Sequence, residues 1–215
     1  MPAKYWACMA PVPEGTVFDA NSRTQPPPAP YISLQQAYCA SKVRALNEAE
    51  RWVSEKKPDW GVVAVMPGWV IGRDWSKMDV AGVKSGTNMQ MLSLCLGARS
   101  EGKKAGCAVH VDDVARVCVG AAFEDEKTVG CEERGVLRGF MAGRRIEWMG
   151  AVEVVKKEFG REVEQGLLST EGVQETMVMP VDGSETERVF GFEFLPWEEM
   201  VRSVVGHYVE VSKEA

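Results

Sequence analysis

The chain is short of the residues and patterns that would mark metal binding, secretion, a membrane span or a nucleic-acid surface. Only two histidines occur among 215 residues, His110 and His207, far apart in sequence. The six cysteines, at 8, 39, 95, 107, 118 and 131, contain no Cys-x-x-Cys pair, so neither a zinc site nor a secreted disulfide framework is indicated. They are expected to be reduced and mostly buried and inert. No apolar run reaches the roughly 18 residues that a spanning helix needs. The opening Met1-Pro2-Ala3-Lys4 leads into Pro11-Val12-Pro13-Glu14 and not into an apolar signal core. No block of lysine and arginine exists to neutralise phosphates: 25 basic residues against 31 acidic ones leave a net charge of -6, which argues against nucleic acid as a partner. These absences predict a soluble, intracellular, cytoplasmic protein without a membrane partner, and there is no internal repeat or low-complexity tail.

What is present suits a globular fold. The hydrophobic content is 45%, enough for a substantial core in one domain, at most two. The most informative segment is Tyr38-Cys39-Ala40-Ser41-Lys42. It opens a helical stretch to about Trp52, on which positions i and i+4 project from one face. A cation held beside a phenol favours the phenolate, so a tyrosine placed this way can give a proton to a carbonyl oxygen or take one from an alcohol. Ala45, Leu46, Ala49, Trp52 and Val53 repeat at helical spacing, and Ser33 with Gln36 has the form of a capping box. Lys56-Lys57-Pro58-Asp59 ends the helix. Gly61 to Met66 then reads as a short buried strand closed by Pro67-Gly68. Helix, buried strand, then a turn at the strand's carboxyl end is half of a doubly wound α/β unit, and ligands bind outside such strand ends.

Four segments in sequence carry a resemblance. They are Tyr38-Cys-Ala-Ser-Lys42, Val65-Met-Pro-Gly-Trp-Val-Ile-Gly72, Val109-His-Val-Asp-Asp-Val-Ala115, and Phe190-Gly-Phe-Glu-Phe194 with Pro196-Trp-Glu-Glu-Met-Val201. From Ala37 onward the chain resembles the extended short-chain dehydrogenase/reductase superfamily, in its dihydroflavonol-reductase-like branch of carbonyl reductases with epimerase/dehydratase relatives. The resemblance implies an NAD(P)-dependent oxidoreductase acting on a small-molecule ketone or aldehyde, or on the corresponding alcohol. Tyr38 would be the acid/base, Lys42 would bind the nicotinamide ribose, and Pro67, Gly68, Trp69 and Val70 would line the nicotinamide face. Within the third segment, Asp112 is placed to cap a helix bearing Val114, Val117, Cys118 and Ala121.

The family's opening strand, glycine-rich turn and helix, which hold the pyrophosphate, have no counterpart in this sequence. Gly68, Gly72, Gly130, Gly135, Gly139 and Gly143 do not follow a buried strand at phosphate-loop spacing. The fold class expected is therefore α/β, a partial doubly wound Rossmann-like sheet of the later strands with a small C-terminal substrate lobe. A nucleotide-fold remnant would occupy about 1–75 and 105–145, with substrate-lobe elements at about 76–104 and 146–215 of a single domain. NADP or NAD would bind weakly or not at all, and the choice between them is not encoded. The alternative is a catalytically impaired pseudoenzyme or interaction protein. The third catalytic group, a hydroxyl in the family, has Cys8 as its nearest candidate, in a strand Tyr5 to Met9 expected beside Gly61 to Met66. Cys8 also reads as a small buried residue. An unpaired sheet edge would favour self-association or a partner chain.

Three further readings concern packing. The proline-rich Gln25 to Pro30 should be an extended loop. Trp69 and Trp75 flank the proposed site, and the methionine-rich helix from Met89 to Leu96 could give an apolar wall. Near the C terminus, Ser184 with Glu187 reads as a second capping box, Gly191 as a helix stop, and Pro196 as the first turn of a last amphipathic helix.

Overall fold

The structure is a computed structural model that describes residues 15–214. The expected strand Tyr5 to Met9, with Cys8, lies outside the described residues. The elements run α1 (Leu34–Lys56), β1 (Val62–Pro67), β2 (Trp69–Ile71), α2 (Val80–Val83), α3 (Asn88–Cys95), β3 (Lys104–His110), α4 (Val111–Phe123) and α5 (Glu126–Val129). They continue with β4 (Leu137–Ala142), β5 (Arg144–Arg145), α6 (Gly150–Glu158), α7 (Gly160–Glu164), β6 (Thr176–Val178), α8 (Ser184–Phe190) and α9 (Trp197–Lys213). No described helix is long and apolar enough to cross a membrane.

The chain forms two compact units, each made of three segments. The first runs through Met66 and adds Arg116–Ala142 and Pro180–Phe192. Its α1 starts where the sequence places the cap: Ser33 is extended and its hydroxyl accepts the Gln36 N–H at 3.1 Å, while the Gln36 amide oxygen accepts the Ile32 N–H at 2.7 Å. The helix ends at Lys57, left-handed at φ 44, whose N–H reaches the Val53 carbonyl. Pro58 follows and cannot extend the helix. Ala40, Val43 and Val53 are its buried residues. β1 pairs with β4 in a two-stranded sheet. Phe140 of β4 meets Phe190 of α8 edge-on at 4.8 Å, and the Thr186 hydroxyl donates to the Met141 carbonyl at 2.7 Å.

The second unit comprises Pro67–Ala115, Gly143–Met179 and Glu193–Ala215. Its sheet is organised on β3, which is parallel to β2 (Trp69 opposite Ala108, Ile71 opposite His110), parallel to β6 and antiparallel to β5. The core is an aromatic and aliphatic stack: Trp148 is fully buried, edge-on to Trp197 at 5.5 Å and to Trp69 at 6.4 Å, over Met200, Val204 and Val152. α9 supplies one wall, with Trp197, Met200, Val201, Val204, Val205 and Tyr208 buried at helical spacing.

The α/β reading holds, with a small parallel sheet, but among the described residues the strand pairing is distributed over two sheets. Three local readings are corrected. Asp112 is not the cap of α4: the helix already begins at Val111, and the His110 ring accepts the Asp112 N–H at 3.2 Å in place of a carboxylate. Of the apolar face expected there, Val117 is buried but Cys118 is exposed. α8 starts at Ser184 itself, with Gly183 in the cap position making no side-chain cap bond, and the Asp182 carboxylate accepts the Ser184 N–H. Gly191 does stop α8 in a left-handed conformation, and Pro196 does stand at the start of α9.

Candidate functional site

Two groups of residues singled out by sequence are placed as follows. Tyr38 and Lys42 lie one turn apart on α1 in the first unit, with the Lys42 ammonium 5.4 Å from the centre of the Tyr38 ring. That distance is within reach of a cation–π attraction, worth about 0.5–1 kcal/mol at an exposed site. Tyr38 is 58% exposed, and Lys42 is exposed beside it. Among the described residues the Tyr38 hydroxyl has no hydrogen-bond partner, while its carbonyl accepts the Ser41 hydroxyl at 2.7 Å. Neighbouring Ala40 and Val43 point to the core. The helix thus buries one face and presents the phenol and the ammonium on another.

Pro67, Gly68, Trp69 and Val70 belong to the second unit. Pro67 is exposed at the end of β1, and Gly68 separates β1 from β2. Gly68 has a packing reason to be glycine: a Cβ there would lie 2.7 Å from the Cys107 sulfur and 2.8 Å from the Cys107 carbonyl oxygen. Trp69 is half-buried against Trp148, so its ring serves the core of this unit. Trp75, in contrast, is 73% exposed, with the Arg73 guanidinium stacked 4.1 Å from its ring centre. Met91, Leu92, Leu94 and Cys95 of the methionine-rich helix are core residues, and burial pushes the Cys95 thiol up to about 12.

A polar cradle around residues 70–73 escaped the sequence reading. The Thr87 hydroxyl donates to the Val70 carbonyl at 2.7 Å. The Asn88 side chain takes both backbone groups of Gly72, accepting its N–H at 3.1 Å and donating to its carbonyl at 2.6 Å. The Ser203 hydroxyl accepts the Arg73 N–H at 2.8 Å and lies 3.1 Å from the His110 Nε2. Because His110 Nδ1 accepts the Asp112 N–H, the neutral ring carries its proton on Nε2 and donates to Ser203. Arg73 is bidentate to Glu210 at 2.6 and 2.7 Å. These partners come from residues 16 to 137 positions away, so no local pattern could announce them. Among the described residues no cluster of His, Cys, Asp and Glu could hold a metal ion.

The strand-to-helix junctions bear on phosphate binding. β3 passes into α4 with no intervening turn, and the His110 ring fills the helix start while Asp112 and Asp113 stand in its first turn. Two carboxylates at a helix N terminus oppose an anion there.

Comparison with known proteins decides the kinship. Over 207 residues the chain is 31% identical to the ketoreductase CTB6 of Cercospora nicotianae, which covers 94% of this chain and 56% of that protein. The chain is thus similar to a fungal ketoreductase along nearly its whole length. The ketoreductase sphI of Aspergillus fumigatus is 23% identical over 177 residues, 80% of this chain and 49% of its own length. Among solved structures, yeast methylglyoxal/isovaleraldehyde reductase Gre2 complexed with NADPH superposes with a TM-score of 0.63 at 17% identity, covering 94% of this chain and 59% of that one. Vestitone reductase from alfalfa gives 0.52 at 18% identity, over 85% and 53%. The chain therefore spans about half of the length of the relatives it matches, and it shares the fold of the solved reductases over that part. No family model matches it.

Proposed function

We propose that this chain carries the acid/base part of an NAD(P)-dependent carbonyl reductase site. The observation that carries the reading is the exposed Tyr38–Lys42 pair, held one helical turn apart with the phenol uncommitted and the ammonium over its ring. It is supported by the kinship to ketoreductases and by the fold shared with an NADPH-bound reductase. The substrate class is a small-molecule ketone or aldehyde, or the matching alcohol in reverse. Bound nicotinamide cofactor would supply or accept the hydride. Tyr38 gives its proton to the carbonyl oxygen as negative charge develops there, and Lys42 stabilises the phenolate that remains and binds ribose hydroxyls. Pro67, Gly68, Trp69 and Val70 line the nicotinamide face, and Cys8 is the candidate third polar group. Residues 1–75 and 105–145 are the nucleotide side, and 76–104 and 146–215 the substrate side.

The residues present fit the nicotinamide-ribose end of the cofactor. They do not fit its pyrophosphate, because no described helix opens from a glycine-rich turn after a strand, and α4 opens on His110 and two aspartates. That junction supports weak cofactor binding, and with it a catalytically impaired relative as the second reading. Association with a second chain belongs to the same picture, since among the described residues β1 and β4 make a two-stranded sheet and such a sheet is marginal alone. Calorimetric titration with NADPH and NADH tests the cofactor part, and a micromolar or tighter dissociation constant would show a phosphate site built by other residues. In the same preparations Tyr38→Phe should lower any reductase turnover by about 10²- to 10⁴-fold with an unchanged melt. Equal turnover removes Tyr38 as the acid.

A further inference from the structure

A cavity of about 790 Å³ lies within the first unit, between residues 23–26 and the stretch of α1 from Arg44 to Arg51. At 3.6 residues per turn, Arg44 and Arg51 lie about 120 to 140° around the helix from Tyr38, so this cavity is separate from the phenol–ammonium face. Its wall carries three guanidinium groups, Arg23, Arg44 and Arg51, against two carboxylates, Glu48 and Glu50. The wall is therefore net positive on a chain whose formal charge is -6.

The commitments of these groups leave donors over. Arg51 spends all three of its nitrogens, Nε and Nη2 on Glu48 and Nη1 on Glu55. Arg23 gives Nε to Glu50 at 2.6 Å and Nη1 to the carbonyls of Ala20 and Ser22. That fixes the group part-buried and leaves Nη2 without an acceptor among the described residues. Both carboxylates of the wall are thus already held by a guanidinium. Arg44 has no hydrogen-bond or ion-pair partner among the described residues, so none of its five N–H donors is taken by them. The wall is also anchored: the Asn47 amide donates to the Thr24 carbonyl at 3.0 Å, tying α1 to the loop, and Thr24 is buried.

We infer that this cavity is a binding site for a small oxyanion, a carboxylate or a phosphate, taken by the fork of Arg44 with Arg23 Nη2 opposite. A guanidinium matches the two oxygens of such a group in one plane, which an ammonium cannot do. The inference does not depend on the reductase reading, because none of its residues belongs to the Tyr38–Lys42 face.

Titration of the whole chain with inorganic phosphate and with citrate at low ionic strength, followed by calorimetry and by the shift in melting temperature, tests it. Saturable binding of at least one probe is expected, weakened about tenfold or more in Arg44→Gln, as loss of charge-assisted hydrogen bonds requires. Arg44→Lys should recover only part of it, and Lys42→Gln and Arg161→Gln should leave it unchanged. Phosphate binding without citrate, or the reverse, identifies which oxyanion the cavity takes. Absence of saturable binding, equal binding in Arg44→Gln, or an equal loss in Lys42→Gln overturns the assignment. Arg44 is exposed on α1, so its substitution leaves the fold intact, and the unliganded melt of each variant checks this.

Discussion

Two glycines at the ends of β2 set how closely its backbone approaches β3. At Gly68 the space a methyl group would need is taken by the sulfur and the carbonyl of Cys107. At Gly72 the backbone sits at φ 151 and a Cβ would meet His110 Nε2 at 2.9 Å and a Val111 methyl at 2.7 Å. Gly68→Ala should therefore cost about 1–3 kcal/mol through overpacking. Gly72→Ala should cost more, since strain at the dihedral adds to the clash. Urea melts of the two variants measure this, and a neutral Gly68→Ala would mean that the strand ends yield freely. Sequence reading assigned both glycines to the strand-end segment but not to this packing. A glycine's neighbours across a sheet are set by register, and register is a property of two strands.

Helix α9 is held at its solvent side by three ion pairs to distant carboxylates or arginines: Arg73 with Glu210, Arg202 with Glu158, and Lys213 with Glu162. The partner's hydrogen bond is the main reason that each of these glutamates sits below its ordinary value of 4.5. A carboxyl depressed in the folded state takes up its proton more readily when unfolded. It therefore stabilises the fold above the ordinary value, and that stability is lost as pH falls through 4.5 and on through the lowered folded value. The melting temperature should accordingly hold near neutral pH and drop through the acid range, with a shallower drop in Arg202→Ala. Calorimetric melts at several pH values read the difference, and identical slopes would mean that solvent screening erases the pair. Helices of this kind were legible in sequence. Ser33 with Gln36, Lys57-Pro58, Gly191 and Pro196 each carry a local cap or stop signal, and α9 carries its apolar stripe. β3 was not, because Lys104-Ala-Gly-Cys-Ala has none of the β-branched or aromatic residues that mark strands. It became the organising strand of its sheet through burial between neighbours drawn from other segments. The candidate site divides the same way: the i, i+4 pair of α1 was visible at once, while Thr87, Asn88 and Ser203 became visible only through contacts across the sequence.

At the scale of the molecule, the β1–β4 sheet has two strands among the described residues. Two strands bury little on their own, so the chain is expected to associate with itself at micromolar concentration, and light scattering coupled to chromatography reads the mass. A monomer with a cooperative melt above ~65 °C, the upper end for ordinary domains, would rule out a weak edge. Each unit is assembled from three separated stretches of chain, so neither can be excised as one contiguous piece. The cysteines offer a way to watch them individually. Cys131 is buried in the first unit, Cys95 and Cys107 are buried in the second, and Cys118 is exposed. A thiol-alkylating reagent would mark Cys118 at once, with the half-buried Cys39 next, and reach the three buried thiols only as their surroundings open. The order in which mass spectrometry finds them modified would thus time the breathing of each unit by native residues alone, with no added label and no substitution.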